Sequence, residues 1–280
     1  MSDCDSSDGC EIPAFPPYDI RVDYEGWQAA AIESLRDNGF VALRGASLSG
    51  ELCERCAKAV HDRLDRLLEI SRGRGFDSET CELRFKEVCK RIPRDMRFDI
   101  SLPHANIAEV GEQLQCPEAD LAAWAMLNEQ AHCLAWPVLE SVLDARDTDG
   151  RGLVSKSGCV IAMPGARGQP WHPDGEVEGI FTVFVPLVPI TPENGPTQFK
   201  PGSQALVDPE VVIPLAFAYS DAEVDPVAPC LEAGDILIFD YRVTHRGMAN
   251  PSTTSRPIGY LTYSRPGVED DYSFPTKSLL

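Results

Sequence analysis

Apolar positions in the first half of the chain recur at helical spacing. From Trp27 to Asn38, the residues Trp27, Ala30, Ala31, Ser34 and Leu35 share one face and Gly39 supplies a stop, which predicts a helix. Phe40-Val-Ala-Leu43 reads as a short strand. Leu48 to Ile70 is a long amphipathic helix ended by Arg72-Gly-Arg-Gly75, and Pro117 to Leu143 is a further helical block, broken near Pro137. The pattern changes after Gly150. Short apolar runs follow, separated by Pro, Gly and Asn: Leu153–Met163, Gly179–Val188, Thr197–Phe199, Val211–Tyr219, Asp235–Phe239 and Ile258–Tyr263. Spacing of this kind predicts an antiparallel sandwich or barrel. Helices first and strands second predict an α+β protein in which helices buttress one face of a double sheet.

Length and charge narrow the possibilities. The chain has 280 residues, enough for one large domain or two small ones. Asp and Glu number 44 against 25 Lys and Arg, a formal net charge of −19. That field repels phosphate backbones and argues against a nucleic-acid or anionic-membrane partner. No run of about 18 apolar residues exists, so no membrane span is expected. The opening MSDCDSSDGC has neither a basic nor an apolar region of a secretory signal, so a cytoplasmic protein is expected. Residues 1–20 carry five acids, no Lys or Arg and three prolines, and read as a flexible acidic tail. Residues 21–280 read as a single domain, helical to about 150, with a barrel core over about 151–265. Ten scattered cysteines do not suggest a disulfide scaffold. Cys53-Glu-Arg-Cys56 lies in a helical pattern without a second pair at zinc spacing, and reads as two small helix residues.

The segment Gln169-Pro-Trp-His-Pro-Asp-Gly175 carries the candidate chemistry. On extended backbone, positions two apart point the same way, so His172 and Asp174 can meet one metal ion. Such a triplet needs a third ligand from another strand, and His245 is the candidate, in a polar turn after the apolar run Ile236–Phe239. Two histidines and one carboxylate with open opposite positions is the arrangement of non-haem Fe(II) oxygenases. Arg256 opens the following run. On a strand returning alongside, its guanidinium would sit deep in the same barrel, suited to grip the far carboxylate of a chelating dicarboxylic acid.

Four pieces, QPWHPDG, ENGPTQFKPGSQ, GDILIFDYRVTHRG and Arg256, stand in order over residues 155–264. The chain in this region resembles the phytanoyl-CoA dioxygenase-like branch of the Fe(II)/2-oxoglutarate-dependent oxygenases. The resemblance implies a double-stranded β-helix, a jelly-roll or cupin-like barrel. It implies Fe(II) held by His172, Asp174 and His245, and the co-substrate 2-oxoglutarate held by Arg256, with Gln169 and Thr197 lining it. It further implies consumption of O2, release of succinate and CO2, and most often hydroxylation of a small-molecule substrate. Asp174 stands where halogenating relatives lack a carboxylate, which disfavours halogenation. Gln204 and Ile258 depart from the residues usual after Pro-Gly-Ser and two after the arginine. A protein side-chain hydroxylase and a catalytically silent barrel are the alternative readings, and oligomeric state is left open.

The substrate side is less defined. Trp171 is either barrel core or a substrate contact. Phe181 and Phe184 have opposite parity, so one alone can face the pocket, and likeness to the family favours Phe184. Arg97 and Asp99 alternate with apolar residues in Asp95–Ile100, a pattern that predicts a solvated edge strand; the rival reading has Arg97 hold an anionic substrate group at the barrel mouth. From Glu176 to Asp235 there are ten acids and one base, Lys200, which serves solubility or draws a cationic substrate. His61, His104 and His132 lack a carboxylate two residues away and read as structural.

Overall fold

The structure is a computed structural model that describes residues 18–46, 48–102, 118–206, 224–270 and 275–280. Most of the acidic tail, the strand expected over Val211–Tyr219 and His104 lie outside the described residues.

Eleven strands and three long helices are described. The strands are β1 (Asp19–Arg21), β2 (Phe40–Arg44), β3 (Leu83–Arg84), β4 (Val88–Lys90), β5 (Arg97–Ser101), β6 (Val154–Ala162), β7 (Ile180–Pro186), β8 (Thr197–Phe199), β9 (Ile236–Asp240), β10 (His245–Gly247) and β11 (Arg256–Ser264). The helices are α1 (Trp27–Asn38), α2 (Gly50–Gly73) and α3 (Glu118–Val142). Nine strands form one sheet in the order β1-β2-β9-β7-β11-β6-β5-β4-β3, antiparallel apart from the β1–β2 pair. The short β8–β10 pair makes a second sheet. This is the α+β jelly-roll architecture expected.

The strands are not confined to residues after 150. β1 to β5 all belong to the large sheet, so the N-terminal part is not simply a helical half. The two outermost of these on the β5 side, β3 and β4, are short and charged and give little periodic signal.

Helix α2 presents Leu52, Cys53, Cys56, Val60, Leu64 and Leu67 as a buried stripe, and Ser49 caps its start by accepting from the Leu52 N–H. Cys53 and Cys56 are free and buried, and burial pushes their thiols up to about 11 and about 12, which suits packing rather than redox chemistry. Helix α3 is not broken at Pro137. The hydrogen bond that a proline removes would end on the carbonyl of Cys133, on the exposed side of the helix, where water can replace it. Val138 and Leu139 on the buried side hold the helix to the core. None of the described helices is long and apolar enough to cross a membrane.

The large sheet has two distinct faces. Val41, Phe98, Ile100, Cys159, Ile161, Val183, Ile238, Leu261 and Tyr263 pack in one core with the helices. Residues of opposite parity turn toward the smaller sheet. There Phe40, Phe199, Leu237, Phe239 and Ile258 form a second, smaller core that closes one end of the barrel. The remaining interior is a cavity.

Candidate active site

The cavity measures about 430 Å³, within the range of about 300–1,000 Å³ typical of small-molecule sites. One wall is the inward parity of β5, β6, β11 and β7: Arg97, Asp99, Val160, Arg256, Ile258, Tyr260, Thr262, Thr182 and Phe184. The opposite wall includes Gln169, His172, Asp174, Thr197 and His245.

Main-chain bonds place the three candidate ligands. His172 and His245 face each other across a reciprocal pair, His172 N–H donating to the His245 carbonyl at 3.0 Å and His245 N–H to that of His172 at 2.9 Å. Directly opposed residues send their side chains to the same side, so the two imidazoles meet. The Asp174 N–H is fixed on the Tyr241 carbonyl at 2.9 Å. Asp174 Oδ1 lies 4.0 Å from His172 Nε2 and 3.7 Å from His245 Nε2. Ligand atoms of the three residues all fall within 4.8 Å of one another, the one such His/Cys/Asp/Glu cluster among the described residues.

Both histidines are oriented through their other nitrogen. His172 Nδ1 lies 2.9 Å from the Pro170 carbonyl and His245 Nδ1 lies 3.0 Å from that of Val243. A carbonyl only accepts, so each Nδ1 carries a proton and each Nε2 is the atom turned to the shared space. Burial, reinforced by the neighbouring His245 ring, lowers His172 to about 4 and keeps it neutral. This donor set suits a divalent transition metal.

Arg256 is 1% exposed, and its Nε and Nη1 have no protein partner among the described residues. Burial first, then the charge of Arg97, pulls it down to about 9. Ala162 pairs with Arg256 on one side and Arg97 on the other, so the two guanidiniums stand in one row with a methyl group between their strands. Arg97 is not on a solvated edge. β5 lies between β4 and β6, and Arg97 is buried, its Nη2 donating to the carbonyls of Arg167 and Met248, each at 3.0 Å. The alternation in its sequence marks a strand with a charged inward face, a pattern identical to that of an edge strand.

Gln169 donates its N–H to the Gly247 carbonyl at 2.9 Å and accepts from the Gly247 N–H through Oε1 at 2.8 Å. A Cβ at position 247 would lie 2.6 Å from Arg97 Nη1 and 2.7 Å from Gln169 Oε1, so the bare glycine admits both side chains. Thr197, opposite Gly247 on β8, lines the cavity. Phe184 also lines it, while Phe181 joins the helix-side core. Trp171 is not a lining residue. Its ring contacts two cations, Lys200 at 5.2 Å from the centroid and Arg246 at 4.3 Å. His61 and His132 have structural partners: Ala57 carbonyl and Ser255 for the first, Tyr263 and the Asp149 carbonyl for the second. Gln204 donates to the Arg36 carbonyl near the end of α1, away from the ligand set.

Sequence reasoning did not single out Tyr260 and Gly158. Tyr260 reaches across β6 and donates its hydroxyl to Asp99 Oδ1 at 3.0 Å. It passes directly over Gly158, where a Cβ would lie 2.4 Å from the phenol oxygen. A lone glycine inside a strand was the signal for such a close approach.

The profile of the family described as Phytanoyl-CoA dioxygenase (PhyH) matches residues 35–258. Dioxygenase easH of Epichloe festucae var. lolii is 32% identical over 98 residues, 31% of this chain and 49% of that protein, so the chain spans about half the length of this relative. Among solved structures, AviO1 from Streptomyces viridochromogenes Tue57 superposes with a TM-score of 0.57 at 22% identity, over 87% of this chain and 97% of that one. The epimerase SnoN, in complex with Fe3+, alpha ketoglutarate and nogalamycin RO, superposes with a TM-score of 0.55 at 18% identity, over 90% of this chain and 93% of that one. These likenesses show the fold.

Proposed function

The chain belongs to the phytanoyl-CoA dioxygenase (PhyH) family, and from that premise we propose that it is an Fe(II)- and 2-oxoglutarate-dependent dioxygenase that hydroxylates a C–H bond of a small organic molecule. His172, Asp174 and His245 hold the iron. Arg256 holds the far carboxylate of 2-oxoglutarate, and Gln169 and Thr197 line the space beside it. A single domain over 21–280 carries the whole site.

One observation carries this reading. A His-Asp-His cluster opens into the same cavity as a buried arginine whose Nε and Nη1 lack partners. A buried cation without a counter-charge is costly, by several kcal/mol after relaxation. A bidentate carboxylate from a ligand relieves that cost, so the residues fit a dicarboxylic co-substrate. The two imidazole Nε2 atoms and the carboxylate fit ferrous iron. That SnoN was solved with Fe3+ and alpha ketoglutarate supports the same assignment.

When bound, iron and 2-oxoglutarate supply oxidising power from O2, with succinate and CO2 as co-products. The chain's own residues prepare the site. The carbonyls of Pro170 and Val243 fix the imidazole tautomers, and the His172–His245 main-chain pair sets ligand separation before metal arrives. Arg97, bonded to carbonyls at the β10 end, adds a second positive charge in the Arg256 row and favours a dianion over a monoanion. Phe184, Val160 and Ile258 offer an apolar wall that orients a substrate and excludes water.

The test is direct. Anaerobic titration with Fe(II) should load one ion per chain, and 2-oxoglutarate added with O2 should yield succinate, stimulated by substrates in a metabolite screen. Failure of His172→Ala to reduce Fe(II) binding would refute the ligand assignment.

A further inference from the structure

Asp99 is the cavity group that the chemistry above does not use. Of the carboxylates lining the cavity, Asp174 belongs to the metal cluster, and Asp95 accepts from the N–H groups of Met96 and Arg167. Among the described residues Asp99 accepts one hydrogen bond, from Tyr260, and no cation forms an ion pair with it. Lys156, also on the lining, is paired with Asp270. Arg91, Lys156 and Asp174 act on Asp99 electrostatically without bonding it. Its second oxygen has no protein partner among the described residues, yet it is not sealed off as a buried orphan, so it opens into the cavity. Burial raises the Asp99 carboxyl to about 7.

The pair is a built feature. Tyr260 is 6% exposed and spans a whole strand to reach Asp99, over a position that tolerates no Cβ. The registers also separate the charges of the cavity wall into successive rows. Arg97, Ala162 and Arg256 form one row. Asp99, Val160 and Ile258 form the next, two residues or about 6.6 Å along the strands. Gly158, Tyr260 and Phe184 follow. One end of this wall suits an anion; the next step down suits a cation with an apolar body.

We propose that the Asp99–Tyr260 pair is the substrate-reading element of the cavity and takes a protonated amine of a compact substrate, whose carbon skeleton lies against Val160, Phe184 and Ile258. A partly enclosed carboxylate with no cation of its own has an amine as its strongest complement. The two arginines of the neighbouring row are reserved for the dianionic co-substrate, and the net charge of −19 draws cations to the protein. Tyr260 holds the carboxylate in place while leaving its other oxygen free. The inference rests on the dioxygenase reading for the identity of the cavity, but the recognition itself needs no turnover.

The experiment measures binding of cyclohexylammonium and of its neutral isostere cyclohexanol to the full chain by calorimetry at about pH 8, without iron. The wild type should prefer the ammonium by about tenfold or more, and Asp99→Asn should reduce the preference to within about twofold. Should Asp99→Asn fail to fold, Tyr260→Phe, which leaves the carboxylate unoriented, should cut the preference by about threefold or more. Equal affinity of the two probes for the wild type, or a preference unaltered in the variants, overturns the proposal. Fe(II) loading and succinate formation on the same preparation report separately on the dioxygenase reading. Normal loading with no amine preference rejects only the substrate class.

Discussion

The two faces of strands β5, β6 and β11 are built from the same backbone and obey opposite rules. On the helix side, Phe98, Ile100, Cys159, Ile161, Leu261 and Tyr263 are almost wholly apolar and fully packed. On the cavity side, one residue out of register with them, stand Arg97, Asp99, Arg256, Tyr260 and Thr262. The first face removes area from water and stabilises the fold. The second keeps charges in a low-dielectric space without a counter-charge in ion-pair contact among the described residues, which opposes folding and is relieved by ligands. Stability and chemistry are therefore divided by strand parity, and the division can be tested one face at a time.

The largest effect should come from the ligand set. His172→Ala or Asp174→Ala should bring substrate-dependent succinate formation to background while thermal unfolding shifts by only a few degrees, because both residues are fixed by main-chain bonds rather than by their side chains. A collapse of the fold in both variants would break the division. Next is Arg256→Ala. Loss of a charge-assisted carboxylate contact typically costs about 2–5 kcal/mol, so the KM for 2-oxoglutarate should rise by about 30-fold or more. Unfolding of the ligand-free protein should meanwhile be unchanged or shifted to higher temperature. On the opposite face, Ile161→Ala should cost about 2–4 kcal/mol in denaturant unfolding and leave kcat of the folded fraction near that of the wild type.

The smallest effect is a pH dependence. The folded carboxyl of Asp99 is raised to about 7, above its ordinary value of 3.8, chiefly by burial. The native state thus holds a proton that the unfolded chain releases. Its contribution to stability is fully present below about pH 4 and is lost as pH rises through about 7. Asp99→Asn cannot lose it. Variant and wild type should match near pH 4, and the variant should be more stable at pH 8, by on the order of 1–3 kcal/mol. Parallel curves across that range would show that Asp99 is solvated.

The parity of the site was legible in the sequence where apolar runs were long. β6, β7, β9 and β11 run for five to nine residues, and His172, Asp174, His245 and Arg256 sit at recognisable distances from them. Parity reduced Phe181 and Phe184 to one cavity residue, and likeness to the family, not the pattern, pointed to Phe184. Legibility failed where the pattern was degenerate or local rules were overridden. Arg97 and Asp99 alternate with Phe98 and Ile100 as they would on an edge strand, and only the pairing of β4 and β6 on either side turns their charges inward. α3 runs through Pro137 because tertiary packing outweighs one lost bond. Trp171 stood between barrel core and substrate contact in the sequence, and its cation contacts with Lys200 and Arg246 bring together residues too far apart along the chain to be read from a local pattern.

Gly158 gives this molecule a selectivity encoded by an absent methyl group. A methyl group there would lie 2.4 Å from the Tyr260 phenol oxygen and equally 2.4 Å from the Ile100 main-chain carbonyl, so both the path of the phenol and the pairing of β5 with β6 require the bare position. Divergence in how the carboxylate is held thus falls to Tyr260 itself, because the glycine beneath it is fixed from two sides.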